Sequence, residues 1–142
     1  MRALLDVNVL IALLDADHVL HEPAIAWFSA NAAHGWASSP ITQNGCLRVM
    51  SSPAYPGRQP VQVIADRLAS ATAHAVHEFW PDTMSLLEEG AVDLGRVHGP
   101  RQITDLYLLA LAVRRDGRLV TFDRGIDMAA VRGAQPRHLL RL

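Results

Sequence analysis

A chain of 142 residues, half of them hydrophobic and 19% charged, can bury a core of its own and is too apolar to stay disordered. Its formal net charge of −1 excludes a global field that attracts nucleic acid, so any phosphate site must be local. No apolar run reaches the roughly 20 residues needed to span a bilayer, and a single cysteine, Cys46, excludes an internal disulfide.

That lone thiol suits a reducing compartment. Asp6 interrupts the apolar start and no small-residue cleavage site follows closely, which is unlike a secretory signal. The expectation is a cytoplasmic protein. All 13 basic residues are arginine, a bias read here as genomic base composition rather than as a phosphate-binding surface.

Residues 3–5 read as a short strand, followed by a helix from about Asn8 to Asp15. Asp6 lies between them, where it can cap the helix. In "HVLHEPAIAWFSANAA", Pro23 suits a first helical turn, and Ile25, Phe28 and Ala32 recur at helical spacing. "GWASS" reads as a second strand, and Pro40 opens the helix "PITQNGCLRVM", weakened by Gly45 in its interior.

"SSPAYPGRQP" is a loop dense in Pro and Gly, and a helix from Val61 to Thr72 follows it. "AVHEFW" reads as a third strand. Pro81 and Asp82 start a further helix, "DTMSLLEEGAVDL", before the basic loop "GRVHGPRQ". "ITDLYLLALAVRRD" is a helix apolar on most sides, and "RLVTF" is a strand. "DRGIDMAAV" leads into a short helix, and "PRHLLRL" is a last strand or tail. Short strands alternating with helices across residues 1–142 specify one α/β/α domain with a mainly parallel central sheet.

Three acids stand where burial is expected. Asp6 ends the first strand, Asp105 opens the apolar helix after Thr104, and Asp123 follows "LVTF". Each alone is explained by a cap or a turn. In a parallel sheet, however, all three fall at the carboxyl edge of the strands, where sites form. Converging carboxylates repel, and a divalent cation relieves the repulsion. All-oxygen ligands select Mg²⁺, with Mn²⁺ as the other candidate, and such an ion suits phosphate substrates.

Asp127 is a cap on the next turn and a minor metal candidate. His74 and His77 lack the further ligands a zinc site needs. There is no Gly-rich phosphate loop and no legible Ser-His-Asp set.

The ordered segments "LLDVNVLIALL", "ITDLYLLALA" and "LVTFDRGI" resemble the PIN domain. With "DADHVLHEPAIAWF" and "SSPITQNGCLRVMS", they look more specifically like the VapC ribonuclease toxins of bacterial toxin–antitoxin modules. The likeness covers nearly the whole chain. It implies a Mg²⁺-dependent endoribonuclease acting on RNA such as tRNA or rRNA, neutralised by a VapB-type antitoxin and assembled as a homodimer.

By the same resemblance, Asp6, Asp105 and Asp123 match the metal-binding acids. Asn8 matches the asparagine of the D-x-N motif, and Thr121 the hydroxyl two residues before the last acid. One element departs. Many PIN domains carry a glutamate where this chain reads "TQNGCLR", so Asn44, or else Gln43, stands near that place. This leaves a degenerate PIN domain that binds RNA or a partner without cutting as the alternative reading.

Arg96, His98 and Arg101, in the loop before the Asp105 helix, are candidates for holding substrate phosphate. Leu13, Leu14, Val19, Leu20, Trp27 and Phe28 offer either ordinary core or a groove for an amphipathic antitoxin segment.

Overall fold

The computed structural model describes residues 1–142. Five strands, β1 (Ala3–Leu5), β2 (Trp36–Ser38), β3 (His77–Phe79), β4 (Arg118–Thr121) and β5 (Leu139–Arg141), form one sheet in the order β3-β2-β1-β4-β5. Every pairing is parallel. Five helices, α1 (Val7–Leu14), α2 (His21–Asn31), α3 (Pro40–Met50), α4 (Val61–Thr72) and α5 (Gln102–Arg114), connect them.

Strand parity builds the layers. On β1, Leu4 joins the core cluster around α5, whereas Ala3 and Leu5 join the cluster of α1, α3 and α4 residues. On β4, Leu119 faces α5 and Val120 faces the other side. The sheet therefore lies between α5 and the other helices, the three-layer arrangement expected from the sequence. Helix α5 is buried without interruption from Leu106 to Ala112, which explains why its sequence has no polar face.

Two local features follow directly from residue type. Ser39 caps α3 in a reciprocal capping box with Thr42, with Pro40 in the first turn. Gly45, a weak helix residue, is required because α1 crosses close by. A β-carbon there would lie 2.6 Å from Val7 Cγ2.

Two expectations need correction. Residues 81–93 do not form the helix expected from "DTMSLLEEGAVDL"; they run irregularly over α5. Ser85 Oγ takes the Leu87 N–H, Gly90 turns at φ +78°, and Val92 pairs with Val131 instead. Local side-chain bonding and a left-handed glycine defeat the helical pattern here. The short helix expected after Asp123 is a single 3₁₀ turn, Met128–Ala130, capped by Asp127. The strand read in "AVHEFW" is only His77–Phe79.

Candidate active site

The strand order reverses between β1 and β4: the chain steps outward through β2 and β3 on one side, and through β5 on the other. Crevices outside the carboxyl ends of strands at such a point are where α/β sheets bind ligands. Asp6 immediately follows β1, and Asp123 lies two residues beyond β4. Parity turns Asp6 and Thr121 to the α5 side, where Asp105 occupies the first turn of that helix.

Asp6 is 5% exposed. Its Oδ1 accepts the Val7 N–H at 2.7 Å, capping α1, and its Oδ2 accepts the Thr121 hydroxyl at 2.6 Å. That hydroxyl is saturated. It donates to Asp6 while accepting from Asn8 Nδ2 at 3.2 Å and from the Asp123 N–H at 3.0 Å. Both latter partners are donors, so the single hydroxyl proton must point at Asp6. The other end of the Asn8 amide, Oδ1, accepts the Phe122 N–H at 3.3 Å, which fixes the amide's orientation. Asp123 Oδ1 accepts the Gly125 N–H at 2.6 Å.

All six residues of the D-x-N and T-x-D segments thus form one network centred on a buried hydroxyl. Substituting Thr121 by Val keeps the shape but strands the donors of Asn8 and Asp123. Thr121→Val is expected to lower unfolding free energy by about 2 kcal/mol or more. Thr121→Ser should retain most of the stability. Calorimetric melting of both variants checks this.

The electrostatics are those of crowded like charges. Burial raises the Asp6 pKa, with the nearby Asp123 charge adding to it and the Thr121 and Val7 hydrogen bonds opposing it. Asp105 is pushed up to about 7, first by burial, then by the charges of Asp6 and Asp123 and by a proton shared with Asp123. No three acidic, histidine or cysteine side chains are gathered into a ready-made cage. The donor set nevertheless fits a hard divalent cation: it offers oxygen and no thiolate or imidazole, and the mutual repulsion of the carboxylates sets up a cost that such a charge offsets.

The other sequence candidates fall as follows. Arg96 is not free, because its Nε meets Asp127 Oδ2 at 3.3 Å. Asp127 is thereby occupied as cap and ion-pair partner. The side chains of His98 and Arg101 are exposed on the loop leading into α5. Gln43 donates to Ser38 Oγ at 2.9 Å, while Asn44 is exposed on α3. Neither amide bonds to Asp6, Asp105 or Asp123. His77 Nε2 bonds Ser38 Oγ at 2.8 Å and its ring packs at a tilt of 55° against Trp36, a structural role.

Gln102 was overlooked in the sequence, where it reads as loop. Its amide bridges the His98 N–H and the Gly125 carbonyl. The available signal was a long amide between a basic loop and a half-buried acid one turn away.

At the opposite end of α1 from Asp6 lies a cavity of about 750 Å³, lined by Leu14, Asp15, Val19, Met50, Tyr55 and Arg67 among others. Of the six apolar residues singled out between Ile11 and Ala33, Leu14 and Val19 face this cavity, and Val19 is 90% exposed. Trp27 and Phe28 instead pack against the core, with Phe28 edge-on to Trp36.

Comparison with known proteins agrees with this fold. The PIN domain family model matches residues 3–132. Ribonuclease VapC44 of Mycobacterium tuberculosis is 56% identical over 142 residues, covering 100% of both chains. Ribonuclease VapC39 of the same organism is 44% identical over 134 residues, covering 94% of this chain and 96% of its own. The fold also matches the crystal structure of VapBC2 from Rickettsia felis bound to a DNA fragment from their promoter. That match has a TM-score of 0.59 at 16% identity, over 99% of this chain and 98% of that one. With a family model that matches residues 3–132 and relatives aligned from end to end, this chain belongs to the PIN-domain family, among the VapC proteins.

Proposed function

We propose that the protein is a Mg²⁺-dependent endoribonuclease toxin, with Mn²⁺ able to replace Mg²⁺, and that a VapB-type antitoxin neutralises it. The observation that carries this reading is the placement of Asp6, Asp105 and Asp123 at the β1/β4 switch point, where Thr121 ties Asp6 to the Asp123 backbone and burial and the charges of both push the Asp105 carboxyl up to about 7. The names of its full-length relatives, ribonucleases of the VapC series, support the same activity.

When bound, the divalent cation stabilises charge on the scissile phosphate and makes water a better nucleophile. Asp6, Asp105 and Asp123 would hold it. Thr121 and Val7 fix the two oxygens of Asp6, each of which keeps a lone pair free. Asn8 holds the backbone beyond β4 through Phe122, so that Asp123 keeps its place. His98 and Arg101 grip phosphate beside the acids. Water gives up a proton and adds to phosphorus as the P–O bond to the leaving ribose oxygen breaks, and that oxygen takes up a proton. Exposed loops of tRNA or rRNA are the substrate class, because unpaired bases are what proteins read in RNA.

The site acts in the cytoplasm, where these RNAs reside; no helix is long and apolar enough to cross a membrane. The antitoxin docks an amphipathic segment on the Leu14–Val19 surface, and the toxin assembles as a homodimer, which its mass in solution would report.

Purified protein should cut a tRNA or rRNA fragment in Mg²⁺, lose activity in EDTA and regain it with Mg²⁺ or Mn²⁺. Growth arrest on expression should be relieved by the cognate antitoxin, and less so for Val19→Asp toxin. RNA bound but uncut with either metal would instead favour the non-catalytic alternative.

A further inference from the structure

The segments 92–102 and 123–131 lie side by side, laced at four points. Val92 pairs antiparallel with Val131, and the Asp93 N–H donates to the Ala130 carbonyl at 2.8 Å. Arg96 meets Asp127 at 3.3 Å, and Gln102 Nε2 donates to the Gly125 carbonyl at 3.3 Å. Only the last tie adjoins the acids. Gly125 itself donates to Asp123 Oδ1 at 2.6 Å, and Asp105 lies three residues along α5 from Gln102.

The other end of the same amide, Gln102 Oε1, accepts the His98 N–H at 3.0 Å. One side chain therefore holds two loops. Its carbonyl holds the loop carrying His98 and Arg101, and its NH₂ holds the loop carrying Asp123. Among neutral side chains of this length only a primary amide accepts at one end and donates at the other. Asparagine is a methylene shorter and glutamate has no donor at neutral pH.

We propose that Gln102 is a positioning residue for RNA: it fixes the height of the 95–101 loop against the acidic rim, so that a phosphate gripped by the loop lies at the acids. The proposal rests on the ribonuclease reading above. Its physical basis is entropic. That loop contains Gly95, Gly99 and Pro100, and without the clamp its ordering would be charged against binding.

The test uses Gln102→Met, which keeps length and neutrality but makes neither bond, and Gln102→Asn, which is too short to make both. KM and kcat are measured for RNA cleavage. Affinity for a labelled hairpin RNA in Mg²⁺ is measured on an Asp6→Asn background, and melting temperature is recorded. Both variants should raise KM and weaken RNA affinity about tenfold, the effect of freeing a preorganised loop. The kcat should stay within about threefold, and melting should be essentially unchanged.

The penalty should shrink to about twofold when His98 and Arg101 are both alanine, because the clamp then has nothing to aim. An undiminished penalty in that background, unchanged RNA affinity, or a loss in kcat alone overturns the proposal. Wild-type protein that binds RNA without cutting it refutes the ribonuclease reading, while the affinity cycle still decides the clamp. Wild type that fails to bind RNA removes both.

Discussion

Asp6→Asn is expected to slow RNA cleavage by about a thousandfold or more, equivalent to roughly 4 kcal/mol of transition-state stabilisation. The substitution removes one charge from the acids and changes no volume. It also cannot satisfy its surroundings. Val7 and Thr121 both donate to Asp6, and an amide has one acceptor end, so either orientation sets a donor against a donor. That loss offsets the relief of a buried carboxylate, and stability should stay within about 1 kcal/mol of wild type. Single-turnover cleavage by protein freed of contaminating nuclease, beside a thermal melt, makes the check. Wild-type cleavage by Asp6→Asn would remove Asp6 from the site.

The same chemical change at Asp105 should stabilise the metal-free protein. Its folded pKa of about 7 stands above the unfolded value of 3.8. A raised carboxyl pKa means that the folded state binds the proton more tightly, so stability rises as pH falls through 7 and levels off below about 4. Above 7 the folded state carries the full cost of the ionised group. Asp105→Asn should therefore melt several degrees higher than wild type at pH 8, consistent with a gain of about 1–2 kcal/mol after allowance for solvent screening.

The advantage should vanish near pH 4. Millimolar Mg²⁺ should raise the wild-type melting temperature but leave that of Asp105→Asn nearly unmoved, because only the former gains a ligand-linked term. Cleavage should be lost in the variant. Equal melting curves at pH 8 would show that Asp105 bears no strain.

Most of the site was legible because each acid violates a local expectation in the same direction. A carboxylate next to "RALL", another beside "LYLLALA" and a third after "LVTF" all fall at strand exits or helix entries of one sheet edge. Alternation along β1 and β4 then places them, and parity is a property of the sequence. What escaped has a different physical origin. The helix expected in residues 82–94 had adequate propensity but lost to a Ser85 turn and to pairing with Val131, which is distant in sequence. Gln102 escaped because its role depends on two loops meeting, and no periodicity encodes that. Gly45 looked like a defect until the crossing of Val7 supplied its reason.

The strand order has a consequence for the birth of the protein. Asp6 is made almost first, but β1 can pair with β2 long before β4 exists, and β4 at Arg118–Thr121 supplies the hydroxyl and the third acid. Contacts between such distant residues form late, and chains begin to fold from the N-terminus during synthesis. While the end of the chain is still inside the ribosomal tunnel, the emerged part has a helix cap where the finished molecule has the Thr121-centred network. The nascent chain thus carries Asp6 without the strand that ties it to Asp123.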